Sequence, residues 1–183
     1  MSLLISVVAA SMAIVSPTGG MAAQGLVVDG RFSAADGGTH RAVTFDGTAV
    51  PAGSRVAVTE RTSYDGTRVE LRISGVQANR TFGAHVHTQA CGSTPDASGP
   101  HYQNVKDPKQ PSTDPQYANA QNEVWLDFTT DARGDGGAVS TVQWSFRAGE
   151  ARSVVVHEHA TETGPGHAGM AGARLACVNV PFE

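Results

Sequence analysis

The stretch Arg68-Val69-Glu70-Leu71-Arg72-Ile73 decides the fold class. Polar and apolar residues alternate strictly in it. Successive side chains of an extended backbone point to opposite sides, so this period puts all the apolar groups on one face. The same period recurs outward along the chain, in Arg55 to Thr59, Val124-Trp125-Leu126-Asp127-Phe128, Val142-Gln143-Trp144-Ser145-Phe146 and Arg152 to Val156. Turn signals separate these segments: Asp36-Gly37-Gly38, Tyr64-Asp65-Gly66 and the run from Asp131 to Gly137. The last is expected to be a hairpin loop joining two Trp-containing strands. No segment sustains a helical period with caps at both ends. Short one-faced strands between turns predict an all-β sandwich or barrel.

Two stretches break the pattern. Thr88 to Gln121 carries Pro95, Pro100, Pro108, Pro111 and Pro115 and has little periodicity. Thr161 to Ala173 is glycine-rich and irregular. Loops as long as the first are uncommon in a compact domain unless they serve a function or are disordered.

The chain has 183 residues, enough for one domain with a core that does not depend on many disulfides. Charged residues make up only 16% and the net charge is −4, with Lys106 and Lys109 the only lysines. That balance excludes a disordered acidic chain and a basic nucleic-acid binder. Met1 to Ala23 has no charge, and an apolar run from Leu3 to Val15 is broken by Ser16-Pro17-Thr18-Gly19-Gly20. It reads as a signal peptide or leader (1–23) preceding one domain (24–183), although the usual basic start is missing. No apolar run in the mature portion is long enough to span a bilayer. Export would place the protein in the periplasm, the cell envelope or outside, where a disulfide persists.

The histidines carry the chemistry. His85 and His87 are two apart in Phe82-Gly83-Ala84-His85-Val86-His87, so on a strand both rings share one face. They form either half a metal site or two solvent-facing residues at a strand end. His157 closes the β-branched run Val154-Val155-Val156, and His101 follows Gly99-Pro100 inside the long loop. His159 would share the face of His157 if that strand continues. His40 starts a strand near the N-terminus, and it and His167 are expected at the surface. Cys91 and Cys177 are either two buried thiols or one bridge. A bridge would close about 85 residues, for which the chain-entropy model gives roughly 4–5 kcal/mol.

Taken together and in order, His85-Val86-His87, Cys91, Gly99-Pro100-His101, Val155-Val156-His157-Glu158 and Ala173-Arg174-Leu175-Ala176-Cys177 resemble the copper/zinc superoxide dismutase family. The resemblance is strong over Phe82 to His101 and Arg152 to Val178. It implies a Greek-key β-barrel of the flattened, sandwich-like kind. It implies that His85, His87, His101 and His157 hold copper, that Cys91 and Cys177 form a disulfide, and that Arg174 receives the substrate, superoxide anion. Imidazole suits copper in both oxidation states, and a local cation is needed to focus an anion onto a net-negative protein.

The family's zinc site is not matched. No histidine lies between His101 and His157; the loop offers Asp107, Asp114 and Glu123 instead, and Thr161 stands where the family has an Asp linking the two metal shells. The chain therefore resembles a copper-only member, without zinc. A metal-bound imidazole needs a partner for its other N–H. Glu123 is expected to accept that bond from His101 or His85, with Asp127 the alternative. The resulting expectation is an exported copper-dependent superoxide dismutase. The alternatives are an exported copper-binding or copper-buffering protein with little or no turnover, and a descendant of the fold that binds no metal.

Overall fold

The computed structural model describes residues 24–38 and 40–183. The leader expected over 1–23 lies outside the described residues. Nine strands occur among them: β1 (Gln24–Ala34), β2 (Ala42–Thr44), β3 (Arg55–Ser63), β4 (Gly66–Ser74), β5 (Thr81–His87), β6 (Phe128–Thr129), β7 (Gly136–Val142), β8 (Ser153–His157) and β9 (Arg174–Asn179). A 3-10 turn spans Pro95–Ser98. The sheet order is β6-β5-β8-β9-β2-β1-β3-β4-β7, antiparallel except for the parallel pair β1 and β2. Connections such as β4 to β5 and β7 to β8 cross between the two halves, giving a nearly closed, flattened barrel with no α-helix among the described residues. The ends β6 and β7 meet at Gly136, where any side chain would strike the Phe128 ring at 2.9 Å and the Thr129 carbonyl at 3.1 Å. A Cβ there would require the Phe128 ring and the Thr129 segment to shift.

The inward faces fill the core with Val58, Val69, Leu71, Phe82, Val86 and Val156. The alternation in Arg68 to Ile73 is realised in β4, whose Val69, Leu71 and Ile73 are buried. On β5 the core takes Phe82, Ala84 and Val86, so the pleat turns His85 and His87 to the barrel's outer side. His157 stands on the same outer side, because β8 pairs with β5 in the register Gly83–His157 and His85–Val155. Both strands are buried on both faces. The long loops cover that outer side, which is why no polar alternation marks it.

Two expected strands are corrected. Val142 to Phe146 is not a strand; the strand there is β7, which ends at Val142. Val124 to Phe128 contributes only the start of β6 and an isolated bridge from Trp125 to His85. Both segments do bury alternate residues: Val124, Leu126 and Phe128 in one, Val142 and Phe146 in the other. Burial sets the period. Val124 to Phe128 does lie along β5, whose Val86 N–H donates to the Val124 carbonyl and whose Ala84 carbonyl accepts from the Leu126 N–H. The Ala84 N–H, however, goes to the Asp127 side chain, and the ladder is interrupted. Val142 to Phe146 leaves its ladder after Val142. The turn Asp131–Asp135 forms, yet its two sides go to different partners, β6 to β5 and β7 to β4. β8 stops at His157, so His159 does not continue the strand and is exposed. His40 precedes β2 in a turn, with its Nε2 2.8 Å from Asp36.

Candidate metal centre

Four imidazoles converge on the outer face of β5 and β8. His85, His87 and His157 come from the strands, and His101 from the long loop, joined to His87 by an isolated β-bridge. Each offers one nitrogen, and the four nitrogens lie within 4.8 Å of one another. This is the only such group of three or more potential ligands among the described residues.

Hydrogen bonds on the far sides of the rings show which nitrogens are left for the centre. His87 Nδ1 donates to the Gly99 carbonyl at 2.8 Å, leaving Nε2, which sits 3.2 Å from His157 Nε2. His157 Nδ1 faces the Gly172 carbonyl at 3.5 Å. His101 Nδ1 donates to Glu123 Oε2 at 2.8 Å, leaving its Nε2. His85 bonds through Nε2, 2.7 Å from Thr161 Oγ1, and its Nδ1 is buried with no partner. A buried ring nitrogen without a partner, beside three more imidazole nitrogens, fits a metal ion that accepts nitrogen donors.

Glu123 is buried and accepts three bonds: from His101, from Trp125 Nε1 at 2.7 Å and, on its other oxygen, from Gln103 Nε2 at 2.8 Å. Gln103 in turn accepts from the Asp107 N–H and from Gln110, which ties down the loop beyond His101. Arg147 clamps the same segment by donating to the carbonyls of Gln103 and Asn104 at 2.7 Å each, with its guanidinium over the Tyr102 ring. The long loop is thus ordered by side chain to backbone bonds. Asp107 and Asp114 do not join the histidines; Asp107 accepts from Ser112 and the Lys109 N–H, and Asp114 caps a turn at Gln116. Asp127 lies 3.9 Å from His85 Nε2 and bonds Thr161 instead.

A cavity of about 430 Å³ opens over the centre, lined by His101, His157, Gln110, Thr113, Met170 and Arg174 among others. Arg174 is half-buried, and its Nη1 donates to the Pro95 carbonyl at 3.1 Å and to Ser98 Oγ at 2.9 Å. Burial lowers its pKa and nearby Asp96 opposes that. The Cys91–Cys177 disulfide forms, with its Cα atoms 5.7 Å apart, and pins the loop that carries Pro95 and Ser98 to β9, which carries Arg174.

Sequence patterns alone left Gln103, Trp125 and Ser98 unassigned. Gln103 is two residues beyond His101, and Trp125 two beyond Glu123, so same-face spacing was the available signal for both. Ser98 had none, because its contact with Arg174 joins residues 76 apart.

Burial holds His85, His87 and His157 neutral. It lowers His157 to about 3, aided by neighbouring His101, and it sets His85 and His87 well below the ordinary range, again with His101 adding to the effect. An unfolded histidine titrates near 6.5, so between about 3 and 6.5 the unfolded chain binds more protons than the native one. Native stability therefore rises with pH across that window and is lost as pH falls through it. From pH 7 to pH 5 the metal-free protein should lose about 2 kcal/mol through His157 alone, with His85 and His87 adding to the loss. Urea unfolding of metal-free protein at the two pH values measures this, and His157→Ala should make the slope shallower.

A sequence profile of copper/zinc superoxide dismutase matches residues 52–180. No curated protein sequence matches the chain. Among solved structures, copper/zinc superoxide dismutase from Brucella abortus is similar over 86% of this chain and 99% of its own, with 18% identity and a TM-score of 0.56. A SOD-like protein from Bacillus subtilis is similar over 76% and 97%, with 15% identity and a TM-score of 0.53. A double mutant of a SOD-like protein from the same organism gives 72%, 92%, 15% and 0.54 in the same order.

Proposed function

The chain belongs to the copper/zinc superoxide dismutase family, and on that premise we propose that it is a copper-dependent superoxide dismutase that works without zinc. The convergence of four imidazole nitrogens within 4.8 Å, one of them buried and otherwise unpartnered, carries this reading. His85 Nδ1 and the Nε2 atoms of His87, His101 and His157 would hold the ion. Copper bound there supplies one-electron chemistry, by which two superoxide anions and two protons become dioxygen and hydrogen peroxide.

The chain's own residues prepare the rest. The Gly99 carbonyl, Glu123 and the Gly172 carbonyl hold the outer nitrogens of His87, His101 and His157, so their lone pairs face inward without reorganisation. Arg174 supplies positive charge at the cavity in a protein of net charge −4, and its guanidinium can donate to a small anion. His101 Nδ1 is already committed to Glu123, and Asp107 and Asp114 are bonded elsewhere. Among the described residues no second group of potential metal ligands accompanies the four histidines, which supports the zinc-free reading. The disulfide fits export to an oxidising compartment.

The test is superoxide decay by protein loaded with one copper per chain in zinc-free buffer. Fast decay that His157→Ala abolishes is the expected result. Tight copper with slow decay would favour copper buffering, and absence of stoichiometric copper would remove both readings. Glu123→Gln presents an amide in place of one acceptor oxygen to three N–H donors. It should weaken copper binding about 10- to 100-fold; competition with a chromophoric chelator measures this, and an unchanged affinity would sink the role given to Glu123.

A further inference from the structure

We infer that Thr161 is a positioning residue: its hydroxyl links Asp127 to His85 and fixes that imidazole with its proton on Nε2, leaving Nδ1 bare toward the centre. The role in metal binding rests on the copper reading above; the fixed tautomer does not.

The proton order follows from the donors present. Asp127 Oδ2 accepts the Thr161 N–H at 2.7 Å. Its Oδ1 accepts the Ala84 N–H at 3.2 Å and stands 2.7 Å from Thr161 Oγ1. An ionised carboxylate only accepts, so the single hydroxyl proton of Thr161 goes to Asp127. What Thr161 then offers His85, 2.7 Å away, is an oxygen lone pair. His85 Nε2 must therefore donate. A neutral imidazole carries one ring proton, so Nδ1 has none. That is the ring nitrogen which is buried without a partner.

The hydroxyl cannot be bypassed. Asp127 Oδ1 lies 3.9 Å from His85 Nε2, too far for a direct bond. Gly83 makes the approach feasible: a side chain there would strike the His159 carbonyl at 2.6 Å and Ala171 Cβ at 2.7 Å. Without a Cβ at 83, the loop from Glu158 to Ala173 lies flush on β5 and delivers Thr161 to His85. The same loop brings Met170, Ala171 and Gly172 to the cavity wall. One carboxylate thus anchors both a ligand and the wall beside it.

The test begins with nitrogen NMR of the imidazole rings in the metal-free full chain at neutral pH. The expected result is a single His85 tautomer with its proton on Nε2. Thr161→Val keeps the shape and removes the hydroxyl; it should abolish the single tautomer and weaken Cu²⁺ binding about 10- to 100-fold. It should also alter the Cu²⁺ electron paramagnetic resonance spectrum. Thr161→Ser should restore tautomer, affinity and spectrum. A proton found on His85 Nδ1 in the unsubstituted protein would overturn the inference. So would a valine variant with the same tautomer and the same affinity. If the valine variant does not fold, the tautomer in the unsubstituted protein still decides. A relay that behaves as expected, in a protein that binds Cu²⁺ but does not consume superoxide, would remove the dismutase reading and leave this one standing.

Discussion

Arg174→Gln should lower the second-order rate of superoxide decay about 10- to 100-fold while copper stays bound. Superoxide is a small monoanion, and the protein it approaches carries a net charge of −4. Uniform charge of that sign repels it, so rapid capture requires a local field of opposite sign at the cavity. Focusing of this kind is worth between 10- and 10³-fold in association rate. Among the lining residues, Arg174 brings the cation. A second signature separates steering from packing. With Arg174 in place, added salt should slow the reaction by screening an attraction. In Arg174→Gln the net repulsion dominates, so salt should leave the rate flat or raise it. Arg174→Lys retains the charge but loses the planar guanidinium, whose Nη1 donates to both Pro95 and Ser98 and whose other N–H groups remain for an anion. It should recover most of the salt response and only part of the rate. Stopped-flow decay over a range of ionic strength, with copper content assayed on each sample, measures all three. A glutamine variant with unchanged rate and unchanged salt dependence would remove Arg174 from the mechanism.

Replacing both cysteines, Cys91→Ala with Cys177→Ala, should cost about 4–5 kcal/mol of stability in the chain-entropy account. The bridged residues are 86 apart, so the unfolded ensemble loses a large closed loop. For a domain of this size that corresponds to a fall in Tm of about 10–15 °C. Alanine is chosen because Cys177 packs with Val43 and Val155, where a serine hydroxyl would be buried without a clear partner. The same variant should lose activity beyond what its stability explains. The bridge ties the segment carrying Pro95 and Ser98 to β9, and those residues hold the Arg174 guanidinium. Calorimetry gives the first effect. Decay rates at 25 °C, where the variant remains folded, give the second. A normal rate in a destabilised variant would show that the loop keeps Arg174 in place without the bridge.

The strands β3, β4 and β8 could be read from the sequence because burial of a single face, or a β-branched run buried on both, leaves a local pattern. The two Trp segments show where that reading fails. Val124 to Phe128 and Val142 to Phe146 bury alternate residues as strands do, but a ladder needs an unbroken run of backbone pairing and the period does not report where that pairing stops. The four histidines and two cysteines were also legible, since each sits in a short motif and the order of the motifs is distinctive. Glu123 was legible as a carboxylate in the right region, but not as the acceptor of three N–H groups from 101, 103 and 125.

What the sequence determined by itself was the kind of backbone and the inventory of chemistry. Period-two burial requires strands, and paired imidazoles on one strand face offer nitrogen ligands. What only the tertiary structure decided was which atoms point where. Ring nitrogens are chosen by hydrogen bonds from distant segments: His87 by Gly99, His101 by Glu123, His157 by Gly172 and His85 by Thr161, the last across 76 positions. Those bonds join elements that meet only when the barrel closes and its long loops fold over one face. No local period encodes them, because burial sets a repeat along one segment, whereas a hydrogen bond between segments depends on where both have been placed.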